Sequence, residues 1–237
     1  MQSPMRCAVA ATATSTMHIV VTGAAGALGR SVVSLLNNQG HTVTGIDIAD
    51  PIDVPGLTLA KPAVDLNDAA AVSAAIAESV GASGEIDGLV NIAGGFAWET
   101  IGDGTVDTWD RLYAMNVRSA LNVCQASLPH LGEAASIVNI GAGAATRAGL
   151  GMGAYAASKS GVARLTEALA EELKGRAVRV NAVLPSIIDT PANRADMPDA
   201  DYSAWVTGEE IANVIGFLLS PEASGVTGAL VPVSGRV

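Results

Sequence analysis

The sequence predicts an α/β fold in which a doubly wound parallel sheet carries helices on both faces. From Met17 onward, short β-branched and apolar runs alternate with helical patterns of ten or more residues, which is typical of βαβ units. Of the 237 residues, 49% are hydrophobic and 3% aromatic, so the chain can bury one core built largely from small side chains. No composition break or repeat divides it, and we expect a single domain over residues 17–237.

The first half of this domain alternates strands and helices in a regular order. The run at 18–21 is a β-branched strand, and the helix that follows carries Leu28, Val32 and Leu36 on one face. Asn67 or Asp68 can cap the next helix. We predict strands at 18–21, 41–48, 63–65 and 86–93, and helices at 26–38 and from 67 or 68 to about 80.

The second half repeats the alternation with longer helices. Thr207 and Glu210 have the spacing of a capping box at the start of the last helix. Residues 191–205 are the least regular part, and we interpret them as a candidate mobile lid. We predict helices at 107–131, 153–174 and 207–219, and strands at 135–140, 178–184 and 230–233.

The charge and the cysteines exclude several classes of function. A formal net charge of −10 would be repelled by a phosphate backbone, so we expect no nucleic-acid partner. No apolar run reaches membrane-spanning length, so we expect no membrane partner. Cys7 and Cys124 have neither CxxC nor metal-ligand spacing, so we expect no metal, reduced thiols and a cytoplasmic location. Cys124 lies in a helical pattern and is interpreted as a small core residue.

The first sixteen residues precede the predicted domain. Arg6 precedes a short apolar stretch, which faintly resembles a signal peptide, but the stretch is brief and rich in threonine. The simpler interpretation is a disordered N-terminal extension over residues 1–16.

The first turn after a predicted strand is rich in glycine. Glycines let the backbone approach a pyrophosphate, and the helix that follows offers its free N–H groups and positive dipole end to the phosphates. A plain tight turn would look the same, but the position between a strand and a helix favours dinucleotide binding. The turn reads Thr22-Gly23-Ala24-Ala25-Gly26-Ala27-Leu28-Gly29.

An acidic residue follows at the spacing that dinucleotide folds use. Asp47 ends the second predicted strand, 18 residues beyond Gly29, where a carboxylate accepts hydrogen bonds from the adenosine ribose. It would repel the 2′-phosphate of NADP, and the glycine-rich turn holds no Lys or Arg, so we expect NAD(H), with NADP(H) less favoured. The alternative is a solvated turn aspartate, since Asp50 and Asp53 are nearby.

Small residues end the fourth predicted strand, in the run Asn91-Ile92-Ala93-Gly94. Ligands of open α/β sheets lie beyond the carboxyl ends of strands at the switch point, and small residues there leave room for a flat ring. Taken alone, the run would be only a strand-end turn.

One pair of residues has the spacing of a reactive pair. Tyr155 and Lys159 lie at i and i+4 of a predicted helix, so they share one face. A nearby ammonium lowers a tyrosine pKa, which would make Tyr155 a proton donor and acceptor near neutral pH. A solvated helix face is the alternative.

Together these motifs resemble the short-chain dehydrogenase/reductase family, from Met17 to the C-terminus. The joint order and spacing carry the resemblance, while no single motif is specific. The matching residues are TGAAGALG at 22–29, Asp47, Asp65-Leu66, NIAG at 91–94, Asn116, YAASK at 155–159 and RVNAVLPSIIDT at 179–190. The resemblance implies a Rossmann-type sheet of seven parallel strands in the order 3-2-1-4-5-6-7, and an oxidoreductase that acts on a small molecule.

The resemblance also implies a role for each matching residue. Tyr155 would be the acid/base, Lys159 would bind the nicotinamide ribose, and Asn116 would hold a water that links Lys159 to solvent. The nucleotide would further contact Asn91, Ala93 and Gly94. Asp65 and Leu66 would flank the adenine, and the nicotinamide carboxamide would be held by Pro185, Ile188 and Thr190. A homodimer or homotetramer would form through the helices at 107–131 and 153–174, for which core packing is the alternative.

One expected residue is missing. The family places a serine thirteen residues before the tyrosine, and this chain has Ala142 there. Losing one such donor typically costs about 10²–10³ in rate on a simple carbonyl. The substrate could do without the donor, and GAGAATRAGLGMGAYAASK at 141–159 resembles quinonoid dihydropteridine reductases, which lack the serine and use NADH. Alternatively, Thr146 or Ser186 replaces it, or the protein is an NAD(H)-binding sensor or scaffold.

The substrate pocket is expected to use residues near the end of the fourth strand and the lid. The short lid favours a compact substrate over a long acyl chain. Trp98 and Trp205 could equally be packing anchors. The candidates are Gly95, Phe96, Trp98, Met152 and the segment 191–205 with Trp205.

Overall fold

The computed structural model describes residues 15–237, and residues 1–14 of the predicted extension lie outside the described residues. Within the described part, seven strands form one sheet in the order β3-β2-β1-β4-β5-β6-β7. Every neighbouring pair is parallel. This confirms the doubly wound, Rossmann-type sheet that the sequence predicts.

The elements follow one another in the predicted alternation. The strands are β1 His18–Thr22, β2 Thr42–Ile46, β3 Leu59–Lys61, β4 Ile86–Asn91, β5 Leu131–Ile140, β6 Arg179–Pro185 and β7 Leu230–Val233. The helices are α1 Ala27–Asn38, α2 Ala69–Ser83, α3 Val106–Tyr113, α4 Ser119–Ser127, α5 Gly153–Leu173, α6 Pro191–Asp196 and α7 Gly208–Leu219. Asp68 caps α2, and the capping box of Thr207 and Glu210 is present at α7.

The sheet is buried on both faces, because helices cover each of them. Ile19 and Val21 of β1 belong to the cluster formed with α1 and α7, while Val20 belongs to the cluster with α2, α4 and α5. Side chains that alternate along a strand therefore reach two separate apolar layers. This accounts for the continuous apolar runs of the central strands.

The third strand lies earlier than predicted, at Leu59–Lys61 instead of 63–65. It pairs with β2 through Thr44 opposite Leu59. Ala63 has a φ of +56°, a left-handed conformation that ends the extended backbone. Val64 then donates its N–H to the Asp47 carbonyl, at 3.0 Å. The segment predicted as a strand therefore crosses the end of β2.

The helix predicted over 107–131 is interrupted twice. A single π turn over Ala114–Arg118 separates α3 from α4, and a 3₁₀ turn over Leu128–His130 follows α4. Pro129 cannot continue an α-helix because it lacks an N–H group and its ring clashes with the preceding turn. Leu131 already belongs to β5 and pairs with Ile86.

The topology places a crevice at the carboxyl ends of the central strands. The chain runs outward from β1 to β2 and β3, and then crosses to β4 on the other side of β1. Ligands of open α/β sheets bind at this switch point. Among residues 15–237, no helix combines the length and the apolar character needed to cross a membrane.

Candidate active site

A cleft of about 890 Å³ opens beyond the carboxyl ends of the central strands. Most of the sequence-predicted site residues line it. They are Gly23, Gly26, Ala27, Leu28, Gly29, Asp47, Asp65, Leu66, Ala93, Gly94, Tyr155, Lys159, Pro185, Ile188 and Thr190. Ala25, Asn91 and Asn116 do not line the cleft.

The glycine-rich turn packs so closely that two of its glycines have no room for a side chain. Gly23 has a φ of +67°, and a Cβ added there would lie 2.8 Å from the Ala93 nitrogen. At Gly29 it would lie 2.1 Å from the Gly23 oxygen. Gly26 precedes α1 and makes no side-chain cap, so the first N–H groups of α1 face the cleft without a protein cap. Such an end suits a phosphate.

Asp47 is fixed beside this turn. Its carboxylate accepts the N–H of Ala25 at 2.9 Å and that of Ala49 at 3.0 Å. Arg30 lies at the same corner, where its guanidinium donates to the carbonyls of Ala25, at 3.0 Å, and of Asp53, at 2.7 Å. A carboxylate thus faces the cleft, while the neighbouring cation is directed to backbone oxygens.

A second loop forms the opposite wall of the same end. Asp65 accepts the N–H of Asn67 at 2.9 Å, which holds the loop in a turn. Asn122 of α4 donates its side-chain amide to the Leu66 carbonyl at 2.9 Å. Sequence reasoning missed Asn122 and also Ile48, a 71% exposed side chain in the cleft wall next to Asp47.

The side chain of Asn91 is buried in the core and does not line the cleft. Its amide donates to Asn139 of β5 at 2.9 Å and to the Cys124 sulfur at 3.3 Å. It therefore braces β4 against β5, the two strands whose ends carry Gly94 and Ala142. Burial raises the pKa of the Cys124 thiol to about 12, so this cysteine is an inert core residue, as expected.

Asn116 lies in the π turn between α3 and α4. Its amide accepts the N–H of Gly95 at 2.8 Å, and donates to the Gly95 carbonyl at 3.0 Å and to the Ser158 hydroxyl at 2.9 Å. Both amide hydrogens are used, so one lone pair of Oδ1 is left for the water that the resemblance implies. A Cβ at Gly94 would lie 2.5 Å from that oxygen.

Tyr155 and Lys159 share one face of α5 and reach the centre of the cleft. The Lys159 ammonium lies 6.0 Å from the Tyr155 ring centroid and donates to the Ile140 carbonyl at 2.9 Å. Burial lowers the pKa of Lys159 from 10.5 to about 8, and burial raises the pKa of Tyr155 to about 12.

The predicted lowering of the Tyr155 pKa is therefore wrong for this state of the protein. Desolvation disfavours the phenolate, and the Lys159 ammonium is bound to a backbone carbonyl. At neutral pH Tyr155 carries its proton and Lys159 is largely charged. This arrangement is suited to giving a proton to an acceptor in the cleft.

Ala142 lines the cleft where the family has a serine, and its methyl group cannot donate a hydrogen bond. Of the two replacements considered, Thr146 is outside the cleft lining and donates to the Gly143 carbonyl at 2.9 Å. Ser186 lines the cleft, but its hydroxyl donates to the Ser234 carbonyl at 2.8 Å. Neither replaces the missing donor in this arrangement.

The predicted substrate residues are only partly brought together. Gly95, Phe96 and Met152 line the cleft, whereas Trp98 and Trp205 do not. Trp205 is 4% exposed and packs against Tyr202, so the packing alternative holds there. Asn193 and Met197 line the cleft from the predicted segment 191–205, whereas sequence reasoning missed Met115 and Ile187. We name Phe96, Met115, Ala142, Met152, Tyr155, Ile187 and Met197 the substrate end.

No metal centre is indicated by the described residues. Among residues 15–237, no group of three or more His, Cys, Asp or Glu side chains is arranged to hold a metal ion.

Comparisons with known proteins agree with this geometry. A family model described as enoyl-(acyl carrier protein) reductase matches residues 23–235. The chain is 31% identical to 2-(S)-hydroxypropyl-CoM dehydrogenase 3 of Xanthobacter autotrophicus over 92% of this chain and 94% of that protein. Among solved structures, it matches a short-chain dehydrogenase/reductase from Serratia marcescens with 30% identity and a TM-score of 0.84, covering 93% of this chain and 97% of that one.

A further match is a structure solved with a bound nucleotide. Carveol dehydrogenase from Mycobacterium avium, solved in complex with NAD, is 27% identical with a TM-score of 0.83, covering 94% of this chain and 97% of that one. Together with the family match over nearly the whole domain, these relatives show that the chain belongs to the short-chain dehydrogenase/reductase family, whose members are oxidoreductases that bind nicotinamide cofactors.

Proposed function

We propose that this protein is an NAD(H)-dependent oxidoreductase that moves a hydride between nicotinamide and a small carbonyl, alcohol or quinonoid-type substrate. The observation that carries the proposal is that Tyr155 and Lys159 line the same cleft as the uncapped start of α1 and Asp47. A proton donor and a dinucleotide cradle therefore share one cavity.

The residues present fit such a cofactor. The tight packing at Gly23 and Gly29 excludes side chains from the turn, so its backbone can approach a pyrophosphate, which the start of α1 would hold. Asp47 and the Asp65 loop would hold the adenosine, while Lys159 would bind the nicotinamide ribose. The carboxamide would contact Pro185, Ile188 and Thr190.

In the reducing direction, a nicotinamide nucleotide held by these residues would supply the hydride. Tyr155 gives its phenolic proton to the substrate oxygen, so the product is an alcohol or hydroquinone. The Lys159 ammonium stabilises the phenolate that remains, and solvent returns the proton. Asn116 holds the Gly95 segment against α5 through Ser158, which fixes the position of Phe96 and Tyr155.

Preference for NAD(H) over NADP(H) is supported by charge. The Asp47 carboxylate would lie beside the adenosine ribose and repel a 2′-phosphate, and Arg30 is directed to the Ala25 and Asp53 carbonyls. Replacing Asp47 with Asn is expected to lower the preference for NADH over NADPH by about tenfold or more, since removal of one nearby charge contributes at least about 1.4 kcal/mol.

Calorimetric titration with both nucleotides measures this change. The matched control is Asp53→Asn, which removes the same charge close by at a residue outside the cleft lining. We expect the control to leave the ratio of the two dissociation constants within about twofold. An unchanged ratio in Asp47→Asn would show that Asp47 does not select the nucleotide.

The absence of a donor at Ala142 favours an acceptor that is already activated by conjugation. If the donor limits reduction of isolated ketones, Ala142→Ser is expected to raise kcat/KM on a simple ketone by about tenfold or more. A conjugated acceptor should change much less. Ala145→Ser adds the same hydroxyl outside the cleft lining and serves as control. No gain on any ketone would contradict a missing-donor defect.

Ala142 also favours a second candidate function, which is an NAD(H)-binding sensor or scaffold with little turnover. Retention of Tyr155, Lys159 and Asn116 argues against it, because binding alone needs fewer of these groups. A panel of dihydropterins, quinones, ketones and imines with NADH and NADPH in parallel separates the two. An enzyme oxidises the nucleotide with some acceptor, whereas a binding module shows only a shift in melting temperature.

A homodimer or homotetramer is part of the proposal. Large apolar side chains are exposed on and near α3, including Trp109, which is 41% exposed, and Tyr113, which is 50% exposed. Contiguous apolar surface of this kind is typical of protein interfaces. The cytoplasmic location expected from the cysteine pattern stays a prediction.

A further inference from the structure

We propose that the substrate end of the cleft takes an uncharged, largely apolar ring ketone or quinone, an inference that rests on the proposed hydride transfer. It goes beyond that function because it names the chemical class of the substrate. Three observations support it. The wall is apolar, no unpaired cation among residues 15–237 lines it, and the nearby polar side chains apart from Tyr155 already have hydrogen-bond partners within the protein.

The wall of the substrate end is made of apolar side chains from separate segments of the chain. The Phe96 ring packs edge-on against the Tyr155 ring at a centroid distance of 4.9 Å. Met115 lies against Gly95, where an added Cβ would be 2.3 Å from its methyl carbon. Met152 and Met197 line the same cleft. Thioether side chains are flexible and polarisable, so they can fit closely around a flat ring.

No cation faces a substrate at this end. Among residues 15–237, Lys159 is the one Lys or Arg in the cleft lining, and it is bound to the Ile140 carbonyl. The Arg111 guanidinium lies 4.0 Å from the Met115 sulfur, at a residue outside the lining. Arg194 is paired with Asp189 at 2.6 Å.

An anionic substrate would therefore lose its hydration without gaining a partner. Burying an unpaired charge is costly, and the formal net charge of −10 on the chain adds repulsion at longer range. Carboxylates, sulfonates and phosphates are disfavoured on both grounds.

Polar recognition of a neutral substrate is also limited. Ala142 has no donor, the Ser186 hydroxyl donates to the Ser234 carbonyl, and the Asn193 amide donates to the Ile188 carbonyl at 2.8 Å. A ring with many hydrogen-bonding groups, such as a pterin, would leave several of them unsatisfied, which is costly in an apolar site. A ring ketone or quinone has few hydrogen-bonding groups, and Tyr155 provides a donor for the carbonyl oxygen that is reduced.

The test compares two ligands that differ by one charge, isatin and isatin-5-sulfonate. Calorimetry measures binding of each to the free protein and to its NAD⁺ complex, and oxidation of NADH measures reduction of each. We expect isatin to bind at least about tenfold more tightly than the sulfonate, with the same order in kcat/KM. Sulfonate binding that is equal or tighter, or no binding of isatin up to its solubility limit, would overturn the inference.

Placing a cation in the wall should reverse the selectivity. Met197→Arg is expected to raise the affinity for the sulfonate by about tenfold relative to isatin, and Met152→Arg tests the same change from another segment. Ile101→Arg adds the same charge at an 81% exposed side chain outside the lining and should change neither ligand. If both wall variants keep their melting temperatures and NADH affinity but show no shift toward the sulfonate, the inference is wrong.

The experiments can contradict the proposed hydride transfer and the proposed substrate class independently of each other. If no acceptor in either charge class supports oxidation of NADH while isatin still binds selectively, the proposed hydride transfer is wrong and the ligand class stands. If NADH is oxidised but the charged acceptor is preferred, the proposed function stands and the substrate class is wrong.

Discussion

Replacing Tyr155 with phenylalanine is expected to lower kcat/KM by about 10²–10⁴-fold, the range that a positioned proton donor usually contributes. The variant removes the phenolic proton and keeps the ring, so the edge-on contact with Phe96 at 4.9 Å is retained. The affinity for NADH should stay within about threefold, because the nucleotide contacts the glycine-rich turn and Asp47 more than this hydroxyl. Steady-state kinetics with a reducible acceptor and calorimetry with NADH measure the two quantities.

The matched control is Tyr113→Phe. It removes the same hydroxyl from a tyrosine on α3 that is 50% exposed and outside the cleft lining. Its kcat/KM should stay near the wild-type value. Equal activity of Tyr155→Phe and the wild type would remove Tyr155 from the mechanism, and a large loss of NADH affinity would assign it a binding role instead.

Replacing Lys159 with methionine is expected to abolish most activity and yet stabilise the fold. Lys159 is 5% exposed, and burial of its ammonium in a partly apolar site is unfavourable. The difference between its ordinary pKa of 10.5 and the folded value of about 8 means that the charged Lys159 lowers the free energy of unfolding by about 3 kcal/mol at neutral pH. Loss of the hydrogen bond to the Ile140 carbonyl offsets part of this gain, by about 1–2 kcal/mol.

The expected net gain is about 1–2 kcal/mol, or about 3–6 °C in Tm. Its pH dependence follows from the direction of the shift. The folded pKa of Lys159 lies below the unfolded one, so the unfolded chain binds more protons between pH 8 and 10.5. The cost of burying the charge is complete below about pH 8 and disappears as the pH rises through this window. The Tm advantage of the variant should shrink over the same range.

Lys174→Met is the control for this prediction. Its side chain is 56% exposed and forms an ion pair with Glu171, so little change in Tm is expected. In the wild type, reduction should also slow above about pH 8, because neutral Lys159 no longer stabilises the Tyr155 phenolate. A Tm advantage that is constant from neutral pH to above 10.5 would contradict the assigned pKa.

Local sequence patterns were sufficient to predict the features that depend on residues close together in the chain. Gly29 stands where a side chain would meet Gly23 and Ala24, and Thr207 with Glu210 forms the capping box that their spacing predicts. The spacing of Tyr155 and Lys159 placed them on one helix face, and both line the cleft. Each of these features is set within a few residues, which is why it could be predicted.

Predictions that depended on distant contacts were less successful. The apolar residue within 63–65 predicts a third strand there. In the structure, the segment that pairs with β2 is Leu59–Lys61. The π turn at Ala114–Arg118 has no pattern of its own. The direction of the Tyr155 pKa shift was also missed, because desolvation depends on what the whole fold packs around the hydroxyl.

The sequence alone determined the fold class and the positions of the glycine-rich turn, Asp47 and the reactive pair, because strong periodicity and short-range spacing encode them. The strand order followed from the family resemblance. Only the tertiary structure decided that Asn91 braces the core and that Asn116 binds the Gly95 segment. It also decided that three methionines and Phe96 line the same cleft as Tyr155 and Lys159. Residues far apart in the chain create those environments, and no pattern within a single segment records which of them will meet.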